Sequence, residues 1–279
     1  FGNAPAAEIQ PLLSQLPELR RLHPDCELIV VNDGSTDDTA TVAAQAGARV
    51  VTLPVSMGNG AAVKSGARAA TGATIVFMDG DGQHAAADVT RLLAALGDGC
   101  EMVVGARDSA SQASVFRLFA NRVYNTLASW ITGQRIADLT SGFRAVRADH
   151  FREFLHLLPN GFSYPTTITM AFLRAGYPVG YVPITAAARV GRSHIRPLRD
   201  GVRFALIIFR IGTFYSPLKI FFPLGAVLFL LGMANYLYTY LTEARFTNMS
   251  AMLLLAALFV FLIGLVSEQI TALMYQRRH

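Results

Sequence analysis

Residues 73–84 read ATIVFMDGDGQH, and the interpretation of the whole chain starts from this stretch. Its first half is apolar and rich in β-branched residues, which is typical of a buried strand. It then ends in two carboxylates one residue apart, Asp79 and Asp81, among glycines. Such a strand end brings two oxygen ligands to the carboxyl edge of a sheet, where Mg²⁺ or Mn²⁺ would share its coordination with substrate phosphates. The alternative is a glycine-rich turn without a ligand, and the stretch alone leaves both open.

The segments around this stretch alternate between strand and helix patterns. The predicted strands cover residues 27–31, 48–53, 74–78, 101–104 and 178–184. The predicted helices cover residues 6–22, 37–45, 61–70, 88–96, 115–131 and 166–174. This alternation predicts an α/β fold with a mostly parallel sheet and helices on both faces. Because Pro183 has no backbone N–H to donate, we expect the last strand at an edge of the sheet.

Three polar features are expected at the same sheet edge: residues 32–35, 58–60 and 79–83. Taken by itself, Asp33 has two interpretations. It could accept hydrogen bonds from a nucleotide base or ribose, or it could accept them within a helix-capping turn. The loop at 58–60 would let a ligand approach the backbone closely. It lacks both the GxxxxGK[ST] phosphate loop and the GxGxxG dinucleotide motif. The sequence therefore favours a nucleotide held by side chains and a metal.

The composition points to a membrane rather than to nucleic acid. The chain is 52% hydrophobic and 15% charged, whereas a soluble domain has roughly 25% charged residues. The apolar excess lies in the last quarter, and basic residues are concentrated between residues 189 and 219, just before it. A basic cluster beside an apolar segment is more typical of contact with anionic lipid. Cys26 and Cys100 have no metal-ligand spacing and are interpreted as reduced thiols, and His84 and His194 as surface or hydrogen-bonded residues.

The C-terminal part has the pattern of a membrane anchor. Arginines on one face of residues 195–216 predict an amphipathic helix at the membrane interface. The uncharged runs 220–242 and 246–268 are each long enough to span a bilayer, although a buried core hairpin is the alternative. The two spans form a hairpin within residues 217–279. Basic residues lie before the first span and at Arg277 and Arg278 after the second, so we expect residues 1–194 to form a cytoplasmic domain. The membrane would be the plasma or inner membrane, or the endoplasmic reticulum.

Several motifs occur in an order that resembles the family-2 glycosyltransferases, and above all the dolichyl- or polyprenyl-phosphate sugar synthases. The motifs are VNDGSTD at 31–37, MDGDGQH at 78–84, VGAR at 104–107, SGFR at 141–144, GYPV at 176–179 with VPI at 182–184, and RVGRSH at 189–194. The resemblance covers roughly residues 25–194, and the apolar hairpin resembles the membrane tail of many members. One such motif would be weak evidence, but the ordered set is specific.

The resemblance implies a nucleotide-sugar-binding fold of the GT-A type, a metal ion and two substrates. Mg²⁺ or Mn²⁺ would be held on the diphosphate by Asp79, Asp81 and Gln83. The donor, a GDP- or UDP-linked sugar, would be bound by Asn3, Asp33, Gly34, Ser35, Lys64, Asp79, Gly80, Arg189, Arg192 and His194. The acceptor, a polyprenyl or dolichyl phosphate, would be bound by Arg122, Ser141 and Arg144. With Asp81, these three form the predicted catalytic set.

The start of the chain departs from the family pattern. The family opens with a strand and a Pro-x-Tyr/Phe-Asn-Glu motif, whereas here only Phe1-Gly2-Asn3 is present and Ala4 takes the Glu position. A chain without that central strand would leave its sheet unpaired, so we expect further sequence before Phe1. His194 also replaces a frequent Lys, which removes a permanent positive charge from that motif.

A second departure concerns the acceptor. Relatives that act on hydroxyl groups often carry an acid near the helix that begins around Thr167, but this chain has PTTIT at 165–169. A hydroxyl acceptor needs a general base. A polyprenyl phosphate, with a second pKa near ~6, is already an anion at neutral pH. The sequence therefore predicts inverting sugar transfer to a polyprenyl phosphate.

Alternatives to this function stay open. Transfer to a sugar or lipid hydroxyl would need Asp138 or Asp108 as the base. A non-catalytic membrane scaffold would bind the nucleotide sugar without turning it over. Self-association through exposed transmembrane faces, giving a homo-oligomer, is also open, whereas a nucleic-acid partner is not expected.

Overall fold

The computed structural model describes residues 10, 12–80, 82–107, 115–161, 164–185, 209 and 212–276, with side chains for all of these except 115–121 and 275–276. The chain forms two compact units, Phe1–Arg196 and Pro197–His279. Of the predicted interfacial helix at 195–216, the described residues include only 209 and 212–216.

The first unit alternates strands and helices, as the sequence pattern predicts. Its strands are β1 (Ile29–Asn32), β2 (Arg49–Thr52), β3 (Thr74–Phe77), β4 (Met102–Arg107), β5 (Arg144–Arg147) and β6 (Val179–Ile184). Its helices are α1 (Leu16–Leu22), α2 (Thr39–Gln45), α3 (Asn59–Ala69), α4 (Ala86–Gly97), α5 (Val115–Thr132), α6 (Ala148–Glu153) and α7 (Tyr164–Arg174).

The strands form a mixed sheet in two pieces. β1 pairs with β2 in parallel, and the other strands follow the order β3-β5-β4-β6. β5 runs antiparallel to both β3 and β4, whereas β4 and β6 are parallel. Helix–strand alternation alone did not single out this reversed strand, because a strand after a helix can return in either direction. Pro183 lies in β6 at the edge of the sheet, where a residue without a backbone N–H is tolerated.

An apolar cavity of about 530 Å³ lies between the two pieces of sheet. Its walls include residues 28–31 of β1 with its flank, residues 73–79 around β3, and Leu12, Leu16 and Val63 from the neighbouring helical segments. Among the described residues, β1 pairs only with β2 and β3 pairs only with β5. Each therefore has one edge without a hydrogen-bonded neighbouring strand on the side of the cavity.

The core of the domain is built where α4 packs across β4, β5 and β6. Leu92 of α4, Val103 of β4 and Ala145 of β5 are fully buried in one cluster. Each Leu or Val buried in this way stabilises the fold by roughly 1.5–3 kcal/mol. This packing fixes the strands that carry the segment between residues 138 and 144.

The second unit contains two long apolar helices, α8 (Pro217–Glu243) and α9 (Asn248–Gln276). Both are long and apolar enough to cross a membrane. They contain most of the predicted spans 220–242 and 246–268 and extend them at both outer ends. Most of their large apolar side chains are exposed, among them Leu230, Leu241 and Phe259. Two helices in an antiparallel pair cannot bury such a surface against each other.

Polar side chains join the two helices at both ends of the hairpin. Near the turn, Asn235 Oδ1 accepts a hydrogen bond from Ser250 Oγ at 2.8 Å. At the other end, Glu268 Oε2 accepts one from the Leu218 backbone N–H at 3.1 Å. A carboxylate is favourable there because the first N–H groups of a helix have no partner within the helix.

Candidate active site

Asp79 lies two residues beyond the end of β3, and its carboxylate packs against Gly142. A Cβ atom on Gly142 would lie 2.8 Å from Asp79 Oδ2 and 3.2 Å from Tyr164 Oη. Tyr164 is buried and donates its hydroxyl to the Gly142 carbonyl at 3.2 Å. The structure therefore brings the DGD loop and the SGFR segment into direct contact.

The loop after Asp79 is fastened by Gln15, a residue that sequence reasoning did not select. Gln15 Nε2 donates to the His84 carbonyl at 3.1 Å, and its Oε1 accepts from the Ala86 backbone N–H at 2.7 Å. The His84 ring is buried and stacks on Phe143 with centroids 4.6 Å apart, so it is not a surface residue. Gln83, half-buried, is thus held in a loop with fixed ends.

Asp138 is the centre of a buried hydrogen-bond cluster with Arg107. Arg107 Nε donates to Asp138 Oδ2 at 2.8 Å, and Arg107 Nη2 to Oδ1 at 3.1 Å. The Asp138 carboxylate also accepts from the backbone N–H groups of Thr140 at 3.0 Å and Ser141 at 3.1 Å. Burial by itself raises the pKa of Asp138, but Arg107 and the backbone donors outweigh it, so the pKa lies below its usual range. Asp138 is therefore a weak base.

Ser141 is held through its backbone on both sides. Its N–H donates to Asp138, and its carbonyl accepts a short hydrogen bond from Arg144 Nη2. Its hydroxyl Oγ is buried and has no hydrogen-bond partner within the part of the chain that the structure describes. An unsatisfied buried hydroxyl costs about 1–3 kcal/mol, which makes Ser141 a candidate for binding a ligand.

Arg144 does not have the exposed position expected of a residue that contacts the acceptor. It is fully buried, and its Nη1 donates to the Pro165 carbonyl and to Thr169 Oγ1, both at 3.1 Å. Its guanidinium lies 5.8 Å from the centroid of the Tyr164 ring. The predicted direct contact with a lipid phosphate does not fit this burial. The contacts instead fix the SGFR segment to the start of α7.

Asp33 does not have the predicted geometry either. It is fully buried, and it accepts hydrogen bonds from the backbone N–H groups of Met57 at 2.7 Å and Gly58 at 2.8 Å. The turn before α2 is made by Asn32, whose Oδ1 accepts from the Ser35 N–H at 2.9 Å. Asp33 therefore supports the neighbouring loop. Gly34 has φ +73°, and a Cβ there would lie 2.7 Å from the Ser56 nitrogen, so close packing against that loop requires glycine.

The glycine-rich loop at 58–60 packs closely against residues 159–161. Gly60 N–H donates to the Gly161 carbonyl at 3.2 Å, and a Cβ on Gly60 would collide with the Pro159 carbonyl. Lys64, predicted to bind the donor, donates to the Leu158 carbonyl at 3.1 Å and to Asn160 Oδ1. Burial and then the nearby Arg68 lower the pKa of Lys64. These contacts hold the segment after α6 against α3.

The remaining predicted site residues have varied positions. Arg122 lies on α5 with an exposed side chain, as a residue that meets a mobile ligand must. Gly80 is buried in the turn after β3, beside Asp79. The predicted residues Asn3, Asp81, Arg189, Arg192 and His194, and the alternative base Asp108, lie outside the described residues.

The donor set around Asp79 fits a hard divalent cation. No cluster of three or more His, Cys, Asp or Glu occurs within the described residues. Asp79 and Gln83 contribute oxygen donors from one loop, and Asp81 between them would add a second carboxylate. The absence of a Cβ at Gly142 makes room for the Asp79 carboxylate itself, which packs against the glycine. A site with only a few protein oxygen donors suits Mg²⁺ or Mn²⁺, because a diphosphate would supply further oxygen ligands.

Sequence reasoning missed Tyr164 and the Arg107–Asp138 pair. Arg107 was quoted within a motif without a role, and Asp138 was considered only as a base. Tyr164 stands in no recognisable motif. Their roles depend on contacts between residues that are far apart in the sequence, such as Arg107 and Asp138 or Gly142 and Tyr164. The only local signal was the cluster of polar residues from 138 to 144.

Comparison with known proteins defines the class and then the family. The domain has the GT-A-like fold of glucosyl-3-phosphoglycerate synthase from Mycobacterium tuberculosis, solved with Mn²⁺, UDP-glucose and phosphoglyceric acid. The TM-score is 0.56 at 23% identity over 74% of each chain. Residues 3–155 match Glycosyl transferase family 2, and residues 216–273 match the GtrB C-terminal hairpin. The chain belongs to glycosyltransferase family 2. The predicted family, GT-A fold and glycosyltransferase class are confirmed.

Two relatives from Haloferax volcanii are similar over most of the chain. The glycosyltransferase AglJ is 32% identical over 217 residues, which covers 76% of this chain and 71% of AglJ. A dolichyl-phosphate hexose transferase is 29% identical over 210 residues, covering 73% of this chain and 89% of that protein. The family thus includes relatives whose names specify transfer to a polyprenyl phosphate.

Proposed function

We propose that this protein catalyses the inverting, metal-dependent transfer of a sugar from a nucleotide diphosphate sugar to a membrane polyprenyl phosphate. The similarity to a dolichyl-phosphate hexose transferase supports the class of acceptor. The Mn²⁺ and UDP-glucose in glucosyl-3-phosphoglycerate synthase support the use of a metal and a nucleotide sugar in this fold.

The choice of a phosphate acceptor is supported above all by the hydrogen bonds and the lowered pKa of Asp138. Both of its carboxylate oxygens accept hydrogen bonds, and Arg107 holds its pKa below the usual range. A general base must accept a proton from the attacking group, and Asp138 is poorly suited to do so. An acceptor that is already an anion, as a phosphate is, needs no such base.

The start of α7 supports the same choice. Thr166 and Thr169 are buried there, and their hydroxyls are engaged with Tyr124 and Arg144 respectively. This position, where hydroxyl-transferring relatives often carry an acid, is neutral and occupied by structural hydrogen bonds.

The acceptor phosphate would be bound by Arg122 and Ser141. Arg122 has an exposed guanidinium, which suits a charge-assisted contact with a phosphate. Ser141 Oγ would donate a hydrogen bond to the phosphate. Asp138 and Arg144 hold the Ser141 backbone in place for this contact. We assign Arg144 a positioning role, because its guanidinium is used within the fold.

The donor would lie along the edge formed by the ends of β1 and β3. Asp79, Asp81 and Gln83 would hold Mg²⁺ or Mn²⁺, which when bound would neutralise charge on the leaving nucleoside diphosphate. Gly34, Ser35 and Gly80 would meet the nucleotide through the backbone, with Asn3, Arg189, Arg192 and His194 completing the site. Asp33 and Lys64 would act by holding the loops that form its wall.

The apolar hairpin would anchor the enzyme in the bilayer that contains its acceptor. We propose that the domain at 1–194 faces the cytoplasm, that residues 195–216 lie at the interface, and that 217–279 form the transmembrane hairpin. The match to the GtrB C-terminal hairpin and the exposed apolar faces of α8 and α9 support this arrangement. Those faces would also allow a homo-oligomer.

A donor panel tests the proposed function. Purified full-length chain in detergent would be incubated with Mg²⁺ or Mn²⁺, a polyprenyl phosphate, and GDP- or UDP-linked mannose, glucose or N-acetylglucosamine. We expect a lipid-phosphate sugar from one of these donors, loss of product with a chelator, and loss of product in Asp81→Asn. No product from any donor, or full activity in Asp81→Asn, would overturn the proposal.

A further inference from the structure

The contact between Asp79 and Gly142 joins the loop that would bind the metal to the segment that would bind the acceptor. We propose that Gly142 is a positioning residue, whose missing side chain keeps the Asp79 carboxylate where metal binding requires it. The inference rests on the proposed function, because it concerns the same metal site. It adds a residue that none of the motif roles includes.

Gly142 has no space for a side chain. A Cβ there would lie 2.8 Å from Asp79 Oδ2 and 3.3 Å from Asp79 Cγ. A carbon and a non-bonded oxygen do not approach to 2.8 Å without repulsion, so one of the two groups must move. The backbone of Gly142 is outside the left-handed region, so alanine is tolerated by the backbone and the effect comes from the contact.

The backbone of Gly142 is held on both sides. The preceding Ser141 is fixed by the Asp138 carboxylate at its N–H and by Arg144 at its carbonyl. The following Phe143 is fully buried, and its carbonyl accepts from the Gly105 N–H at 2.9 Å. A closely packed segment with hydrogen bonds on both sides resists a shift.

A methyl group at Gly142 would face two side chains, those of Tyr164 and Asp79. Tyr164 is 2% exposed and is held by its hydrogen bond to the Gly142 carbonyl. Asp79 is a half-buried loop residue beyond the end of β3, and the atom that the methyl would meet is the far end of its flexible side chain. Asp79 is therefore the group that moves. A ligand carboxylate turned from its position binds a cation less well, because few protein donors hold the ion.

The test is the variant Gly142→Ala, measured by Mn²⁺ binding rather than by activity. Mn²⁺ would be titrated into full-length protein with UDP or GDP present, and bound Mn²⁺ would be followed by electron paramagnetic resonance. We expect affinity to fall roughly 10–100-fold, the usual effect of losing a residue that orients a metal ligand. The control is Gly97→Ala at the end of α4, where a Cβ has no neighbour within 4 Å. Its Mn²⁺ affinity should equal that of the wild type.

A second background identifies the group through which the methyl acts. Tyr164→Phe removes the hydroxyl that a Cβ on Gly142 would approach. The double variant therefore has one close contact fewer than Gly142→Ala alone, which favours its folding. We expect Gly142→Ala in the Tyr164→Phe background to bind Mn²⁺ as weakly as Gly142→Ala alone. Recovery of wild-type affinity in the double variant would contradict a role through Asp79.

The outcomes separate this inference from the proposed function. Wild-type Mn²⁺ affinity in Gly142→Ala, with weak binding in Asp79→Asn, would overturn the role of Gly142 and leave the metal site standing. Absence of Mn²⁺ binding in the wild type would overturn the proposed metal dependence, and the role of Gly142 with it.

Discussion

Two strand ends of this domain resemble each other in sequence and differ in structure. β1 and β3 are both apolar, and both are followed closely by an Asp-Gly pair. Asp33 is fully buried and accepts hydrogen bonds from the Met57 and Gly58 backbone. Asp79 is half-buried, and its carboxylate takes the space that a side chain on Gly142 would need. The same sequence pattern thus gives a carboxylate that accepts backbone hydrogen bonds at one strand end and a carboxylate packed against a glycine at the other.

Asp138 extends the comparison to a third carboxylate. It follows α5 rather than a strand, and its charge is balanced by Arg107. Of these three carboxylates, Asp33 and Asp138 hold parts of the fold together, and Asp79 is the one that we propose as a metal ligand. Separate measurements of stability and activity in single variants distinguish these roles.

We expect the largest effect from Arg107→Met. This change leaves the Asp138 charge buried without its ion pair, which costs about 3–5 kcal/mol of stability. It would be measured by chemical unfolding of the full chain in detergent. Arg49→Met is the matched control, because Arg49 pairs with Glu27 in a largely exposed position at 2.9 Å. That surface pair contributes about 0–1 kcal/mol, and an equal loss in both variants would contradict a structural role for Asp138.

Asp79→Asn should lower turnover while leaving the fold intact. Loss of a group that stabilises developing charge typically reduces kcat by about 10²–10³. The melting temperature without metal should change little, because Asp79 is at the end of a strand and only half-buried. A marked fall in melting temperature with normal kcat would assign Asp79 to the structural group instead.

Asp33→Asn should show the opposite balance. Asp33 accepts hydrogen bonds from two backbone N–H groups, and in the variant one of these would face the N–H₂ of the amide. We expect the free energy of unfolding to fall by about 1–3 kcal/mol. Unfolding measured beside Asp79→Asn tests this directly. If stability were unchanged and nucleotide binding were lost, the structural role would be contradicted and Asp33 would be a nucleotide ligand.

The smallest expected effect is a dependence of stability on pH. The pKa of Asp138 is lowered in the fold, so its contribution is fully present above its unfolded pKa of about 4 and is lost as the pH falls through the lower, folded value. The wild type should therefore lose more stability than Asp138→Asn as the pH is reduced below about 4. Parallel losses in the two proteins would show that other groups control acid unfolding.

Much of the fold was predictable because its signals are local. The run at 74–78 predicted β3 to within one residue, and the helical spacing at 115–131 predicted α5. The direction of β5 and the short helix α6 were not predicted. Strand direction depends on which distant strand supplies the hydrogen bonds, and α6 is too short for a periodic pattern.

The site was less predictable than the fold for a related reason. The motifs predicted site roles for Asp79, Gly80 and Ser141, but not what each residue contacts in the fold. Asp33 carries the same carboxylate whether it binds a ribose or a backbone N–H, and only the position of residues 56–58 decides between them. The burial of Arg144 likewise depends on α7, which follows it by many residues.

The central claim is that the acceptor is a phosphate, since Asp138 is unsuited to act as a base. Its most direct test compares a polyprenyl phosphate with the polyprenol of the same chain length, with full-length protein, Mg²⁺ or Mn²⁺, and a donor that the enzyme turns over. We predict sugar transfer to the phosphate and no transfer to the alcohol. Transfer to the polyprenol at a comparable rate would contradict the account.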